Sequence, residues 1–306
     1  MAEQTQTFLG FPAADLSREL EADIAILGAP HGTPYQRGAG NDCAAAPAAI
    51  RQASARAGQF LDHYDFDLGG PLLIESAVRI VDCGDVPGDS SDGPANREAI
   101  GAATRGVLEA GAAPILLGGD DSVPIPFLTA FEASGPIWIL QIDAHLDWRD
   151  EVMGEAMGWS SVMRRASEMG NAEGMVQVGL RGPGSARAQE VEDARAWGSK
   201  LVGAAELHAQ GVEPVIALLP EGANIVITLD CDGLDPAVMP GMIYPAPGGL
   251  SYGQAIALIQ GAARRGRLIG FDLTELRPSR DPSGLATLTA YRLVVNALGA
   301  MIRSRS

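Results

Sequence analysis

Cysteine, basic charge and long apolar runs are all scarce in this chain. Three cysteines, Cys43, Cys83 and Cys231, are spread over 306 residues. An odd, widely spaced set builds no disulfide framework, so a reducing, cytoplasmic setting is expected. Lys and Arg number 22 against 38 Asp and Glu, for a formal net charge of -16. Phosphate backbones are repelled overall by such a molecule, which argues against a nucleic-acid partner, whereas a small cation is attracted. The acidity taken alone also serves solubility. No apolar run has the length expected of a bilayer span, and residues 1–10 lack the basic start and apolar centre of a signal peptide, so no membrane association is expected. Repeats, low-complexity tracts, charge blocks and interdomain linkers are absent too. The chain is 46% hydrophobic, enough to bury the core of one large α/β domain, and a single domain over 1–306 is the expectation.

What the chain does have is a regular alternation. Short runs rich in Ile, Val and Leu predict strands at 22–27, 78–83, 114–117, 137–142, 175–178, 200–202, 224–229 and 267–271. Ala-rich amphipathic stretches predict helices at 47–57, 96–110, 160–169, 188–197, 212–219, 252–265 and 285–302. A β-α-β-α order implies a mainly parallel sheet with helices on both faces, and nearly unbroken apolar strands fit burial on both sides. Pro47 suits the first turn of a helix, and Ser251 with Gln254 suits a capping box.

Three of the apolar runs end in aspartates: Gly118-Gly119-Asp120-Asp121-Ser122, Asp143-Ala144-His145-Leu146-Asp147 and Asp230-Cys231-Asp232-Gly233-Leu234-Asp235-Pro236. Ligands of parallel sheets bind beyond the carboxyl ends of the strands, where all three runs fall. Carboxylates near a core are costly without a positive partner, so three converging runs point to a multivalent cation. In an extended segment Asp143, His145 and Asp147 share a face, as do Asp230 and Asp232, while Cys231 points away and reads as a small buried apolar residue. One imidazole among several carboxylates suits Mn²⁺, Ni²⁺ or Zn²⁺. Cations so held lower the pKa of water enough to make a nucleophile near neutral pH.

These motifs make the sequence resemble the ureohydrolase family of arginases and agmatinases, in look nearest the agmatinase-like members. The resemblance runs over nearly the whole chain. It includes Gly28-Ala29-Pro30 with Gly32-Thr33, Arg37-Gly38-Ala39, Pro47-Ala48-Ala49-Ile50-Arg51, Gly118-Gly119-Asp120, both complete aspartate runs, and Phe271-Asp272-Leu273-Thr274-Glu275 with Pro278. It implies an arginase-type three-layer αβα sandwich around a mainly parallel sheet, and two divalent ions, Mn²⁺ first and Ni²⁺ or Zn²⁺ as alternatives. Asp143 and Asp230 would bridge the ions. Asp121 and Asp147 would complete one position, and His145 and Asp232 the other. Glu275 would face the guanidinium group of a small cationic substrate, and the chain would assemble as a homo-oligomer, a trimer or hexamer. The implied activity is hydrolysis of a linear amidine, agmatine by default, to urea and an amine.

Two positions depart from the family pattern. Asp121 stands where the family has a histidine, which hardens the ligand set and adds a negative charge. Met157 stands where the family often has a proton-transferring histidine, and a thioether moves no protons. Both departures keep two alternatives open: a non-catalytic or weakly active subunit of a hetero-oligomer, and a single-metal amidohydrolase. Asp120 and Asp235 read as capping or turn-shaping residues. His31 is placed on a loop where it either lines the pocket mouth or is solvated. Trp148, Trp159, Met153 and Met157 read first as packing, and His63 and His208 carry no assigned role.

Overall fold

The computed structural model describes residues 6–35, 42–73 and 78–304. Eight strands form one sheet: β1 (Ile24–Ala29), β2 (Ile80–Asp85), β3 (Ala113–Gly118), β4 (Ile137–Ile142), β5 (Ala172–Leu180), β6 (Lys200–Gly203), β7 (Asn224–Asp230) and β8 (Arg267–Thr274). Every pairing between them is parallel, in the order β2-β1-β3-β8-β7-β4-β5-β6. Each overlaps a strand expected from the apolar runs.

Alternate residues of a strand face opposite sides, and each side has its own cluster. Ile24, Ile26, Ile115 and Leu117 pack with residues of α1 (Ala46–Ser54), α8 (Tyr252–Arg265) and α9 (Leu285–Ser304). Ala25, Leu27 and Leu116 face the other way, onto α2 (Gly93–Glu109), α3 (Pro124–Thr129) and α4 (Val162–Ala166). Three layers, αβα, result. The remaining helices are α5 (Ala188–Trp197), α6 (Ala204–Gln210) and α7 (Glu213–Ile216).

Two helices escape the periodicity reading. Prolines 124 and 126 discourage a helix at α3, yet both sit in its first turn, where a missing N–H leaves no bond unmade. Helix α6 follows β6 with no intervening loop, so no turn signal separates them. The ends of α4 and α7 fall short of 160–169 and 212–219 because their flanks close as single turns. Pro47 does lie in the first turn of α1, and Ser251 and Gln254 do form a capping box on α8.

One expectation about length is corrected. Helix α9 has 20 residues and a mean hydropathy of 1.5 over its most apolar window, enough by those measures to cross a bilayer. The residues of that window are 72% buried. Its apolar surface is spent on α1, α8 and β8, the place of a central core helix.

Register decides where the aspartate runs emerge. Leu117 of β3 lies beside Leu273 of β8, Leu273 beside Leu229 of β7, and Leu229 beside Ile142 of β4. The four middle strands therefore end level with one another. The chain leaves them at Gly118, Thr274, Asp230 and Asp143, all on one edge.

Candidate metal centre

The level edge gathers the acids. Asp121, Asp143, Asp147, Asp230, Asp232 and Glu275 are each no more than 6% exposed. All but Asp143 line one cleft of about 500 Å³, together with His145. Close backbone approach makes the gathering possible: a Cβ on Gly233 would stand 2.8 Å from the Asp143 nitrogen, and one on Gly119 would stand 2.6 Å from the Pro30 oxygen. Side chains larger than hydrogen at these glycines would push the runs apart.

Two sets of possible ligand atoms each lie within 4.8 Å of one another: Asp143, His145 and Asp232, and Asp121, Asp143 and Asp230. Asp143 belongs to both, the arrangement expected of a bridge. Asp230 appears in one set and Asp147 in neither, so the apparent pairing differs in detail from the one the resemblance implies. His145 Nδ1 stands 3.0 Å from Asp232 Oδ2 and 3.5 Å from Asp143 Oδ1. Backbone donors preset the carboxylates: His145 N–H donates to Asp143 at 2.6 Å, Ala144 N–H to Asp232 at 3.1 Å, and Asp232 N–H to Asp230 at 2.7 Å. The Thr274 hydroxyl donates to Asp121 at 2.7 Å, and the Asp121 N–H to Glu275 at 2.8 Å. Asp147 and Glu275 hold φ of 49° and 64°, in the left-handed region that costs a non-glycine residue about 1–2 kcal/mol. Such strain persists where the surroundings overdetermine it, as at functional sites.

Electrostatics show what the cluster needs. Burial first, then the Asp147 charge, pushes the Asp143 carboxyl up to about 7. Burial and then Asp143 push Asp232 up to about 6. Burial also raises Asp121, Asp147, Asp230 and Glu275 above the ordinary carboxylate range, with neighbouring acids adding to it in Asp121, Asp230 and Glu275. For His145 burial opposes the charge, but the hydrogen bonds and charges of Asp143 and Asp232 prevail and raise it to about 11. One imidazolium cannot balance six carboxylates, and each uncompensated buried charge costs several kcal/mol. An oxygen-rich donor set with one imidazole, sharing Asp143 between two triads, fits a pair of hard or borderline divalent ions.

Asp235 accepts the N–H groups of Ala237 at 2.9 Å and Gly248 at 2.7 Å, a turn-shaping role. Asp120 accepts the backbone N–H of Ser122 at 3.0 Å and also its hydroxyl. Glu275 is no exposed acid paired with Arg277, which instead pairs with Asp42. Trp148 packs edge-on against Trp197, as expected, but Trp159 lines the cleft with its ring 4.2 Å from that of Tyr35. Met153 corrects its reading as a packing residue, being 77% exposed at the cleft. Met157 is half-buried against the core, and His31 is not among the lining residues. His208 meets Gly248 O on the surface and His63 lies exposed beside Asp62. Cys231 is buried. The run Arg37-Gly38-Ala39 lies outside the described residues.

Sequence reading missed the supports. The Gln141 side-chain amide donates to Asp143 at 2.7 Å and to Asp147 at 2.8 Å. Its own oxygen accepts from the Gln177 amide at 2.6 Å, and the Gln177 oxygen accepts the Ser199 hydroxyl at 2.8 Å. This buried chain fixes which end of each amide faces the acids. A glutamine inside each of two apolar strands, the first two residues before Asp143 and so on its face, is the signal that was available. Arg181 is the second support: it donates to carbonyls of Gly179 at 2.9 Å, Ala246 at 2.7 Å and Leu234 at 3.1 Å, tying the end of β5 to the loop after β7.

Comparison with known proteins agrees with this geometry. A model of the arginase family matches residues 22–299. Agmatinase from Pyrococcus horikoshii is 30% identical over 300 residues, 95% of each chain. Guanidinobutyrase from Pseudomonas aeruginosa is 34% identical over 198 residues, 63% of this chain and 61% of the relative's own length. The solved structure of proclavaminate amidino hydrolase from Streptomyces clavuligerus superposes with a TM-score of 0.82 at 27% identity, covering 98% of each chain. A family match across nine-tenths of the sequence, on a sheet whose central strand ends gather these acids, places the chain in the arginase family.

Proposed function

We propose that this protein hydrolyses the guanidinium C–N bond of a small guanidino compound, releasing urea and an amine. The observation that carries the reading is the meeting of Asp121, Asp143, Asp230, Asp232, His145 and Glu275 at one cleft in a chain of this family. Asp143, His145 and Asp232 would hold one divalent ion and Asp121, Asp143 and Asp230 a second, with Asp147 beside them; Mn²⁺ is the first choice. Bound there, such ions supply charge stabilisation and lower the pKa of water.

The chain's own groups do the rest. The Glu275 carboxylate faces the cleft on a strained backbone and orients the planar guanidinium. Its fixed position beside the Asp121 N–H keeps it from turning away. Gln141 fixes the Asp143 and Asp147 carboxylates by donating to both, so that they would need little reorganisation around bound ions. Tyr35 and Trp159, their rings 4.2 Å apart, form one wall of the cleft. With methionine at 157, the proton for the leaving amine is drawn from cleft carboxyls or from water at the mouth. The few, odd-numbered and widely spaced cysteines support a reducing, cytoplasmic compartment as the working place, and a trimer or hexamer belongs to the same proposal, countable by light scattering.

The test couples two measurements on one sample: ions bound per chain, and urea released from a panel of guanidino compounds with Mn²⁺ or Ni²⁺ supplied. About two ions with urea release is the expected result. No retained ion and no urea would favour a non-catalytic subunit, and a single tight ion would favour a one-metal amidohydrolase.

A further inference from the structure

The floor of the cleft is acidic, but its wall carries a cation. Arg149 is the one arginine or lysine lining the cleft among the described residues, two positions beyond Asp147. Its backbone is fixed: its N–H donates to Ser160 O at 3.0 Å, and the Ser160 N–H donates to the Tyr35 hydroxyl oxygen at 3.0 Å. The neighbouring acid does not neutralise it, because Asp150 is engaged by Arg165 at 2.7 Å and approached by Arg164 at 3.9 Å. Among the described residues the Arg149 side chain makes no ion pair. In a protein of net charge -16, a guanidinium without an ion pair among the described residues lines the same cleft as a cluster of acids.

We propose that Arg149 binds a carboxylate at the far end of the substrate, so that the preferred substrate is a guanidino acid and not a guanidino amine such as agmatine. The inference rests on the reading that the cleft receives a guanidinium group. A guanidino acid presents opposite charges to the two ends of the cleft: its guanidinium meets Glu275 and its carboxylate meets Arg149. The planar fork of arginine matches a carboxylate with two parallel hydrogen bonds. The ammonium of agmatine would instead lie beside a like charge, a repulsive element of the kind that sets specificity. The overall negative field attracts cations from a distance, but it is screened beyond about 8 Å at physiological salt, so the near contact decides.

The experiment compares 4-guanidinobutyrate, 3-guanidinopropionate and agmatine on the Mn²⁺-loaded protein, by urea release and by calorimetric binding. The acids are expected to bind more tightly and to have the higher kcat/KM. Arg149→Ala should lower kcat/KM for the acids about 30-fold, the low end for a hydrogen-bonded charge pair, mainly through KM. Arg149→Glu should turn the preference toward agmatine, and Arg149→Lys should restore part of the loss. Equal or stronger binding of agmatine by the unaltered protein, no binding of any of the three, or an unchanged preference in Arg149→Glu would each overturn the proposal. Tighter binding of the acids without urea release would leave it standing and sink the hydrolytic reading instead.

Discussion

Two buried charged clusters on the same sheet are built on opposite principles. At the end of β2, Arg51 donates to both oxygens of Asp82, at 2.8 and 2.9 Å, and also to Asp85. Asp82 further accepts the Phe8 N–H at 2.7 Å. Here the chain supplies its own counter-charge, from a helix residue in the Pro47–Arg51 run. At the ends of β3, β8, β7 and β4, six acids meet one part-exposed histidine. In the first cluster the buried Arg51–Asp82 pair balances one charge with one, and the additional acid, Asp85, reaches solvent; in the second, buried acids are left in surplus. A structural ion pair closes on itself; a site for something from outside leaves a surplus of one sign.

The sharpest way to break this contrast is to remove one charged group from each cluster. Asp143→Ala should abolish both metal retention and urea release, because Asp143 belongs to both ligand triads. It should not lower the stability of the metal-free protein, since it relieves repulsion among buried carboxylates. Arg51→Ala should act in the opposite sense. It strands Asp82 without its partner, which costs about 3–5 kcal/mol for a buried pair, visible as a drop in denaturation midpoint. Equal destabilisation by both variants would erase the distinction.

The contrast also explains what was legible. Repeated aspartates at strand ends advertise the surplus cluster, because few structural reasons place so many acids at the end of apolar runs. All eight strands were legible for a similar reason: buried parallel strands are unbroken apolar stretches. Gln141 and Gln177 were not legible as supports, since an amide in a strand says nothing of its partner until register sets it beside another. Arg149 was hidden by its surroundings in Trp148-Arg149-Asp150-Glu151, which read as an ordinary charged turn. Helices α3 and α6 were hidden by prolines in a first turn and by a missing loop.

Two smaller changes sharpen the picture of the surplus cluster. Gln141→Leu removes the donor shared by Asp143 and Asp147 without touching a ligand. It should weaken metal binding about 10–100-fold, as losing a group that orients a ligand commonly does, and calorimetry reads this directly. A wild-type affinity would mean the amide chain is only packing. Asp121→His trades a hard anionic donor for a neutral imidazole. It should shift the balance of affinities from Mn²⁺ toward Ni²⁺ or Zn²⁺, measurable by competition between the ions.

The smallest effect is on the pH dependence of stability, and it separates the two clusters without any mutation. Asp143 and Asp232 titrate in the folded protein near 7 and 6, against an ordinary 3.8. A raised carboxyl pKa means the metal-free fold prefers the protonated form. Its contribution is complete below about pH 4 and is lost as pH rises through 6 and 7. His145, raised from 6.5 to about 11, works in the same direction over the range above neutrality. The denaturation midpoint of the metal-free protein should therefore fall between pH 5 and pH 8. Excess Mn²⁺ should flatten or reverse that fall, because the cation competes with protons for the same oxygens and binds better as they leave. A metal-free midpoint that stays level across this range, with the same gain from Mn²⁺ at both ends, would mean that the acids at the sheet edge do not repel one another as their burial requires.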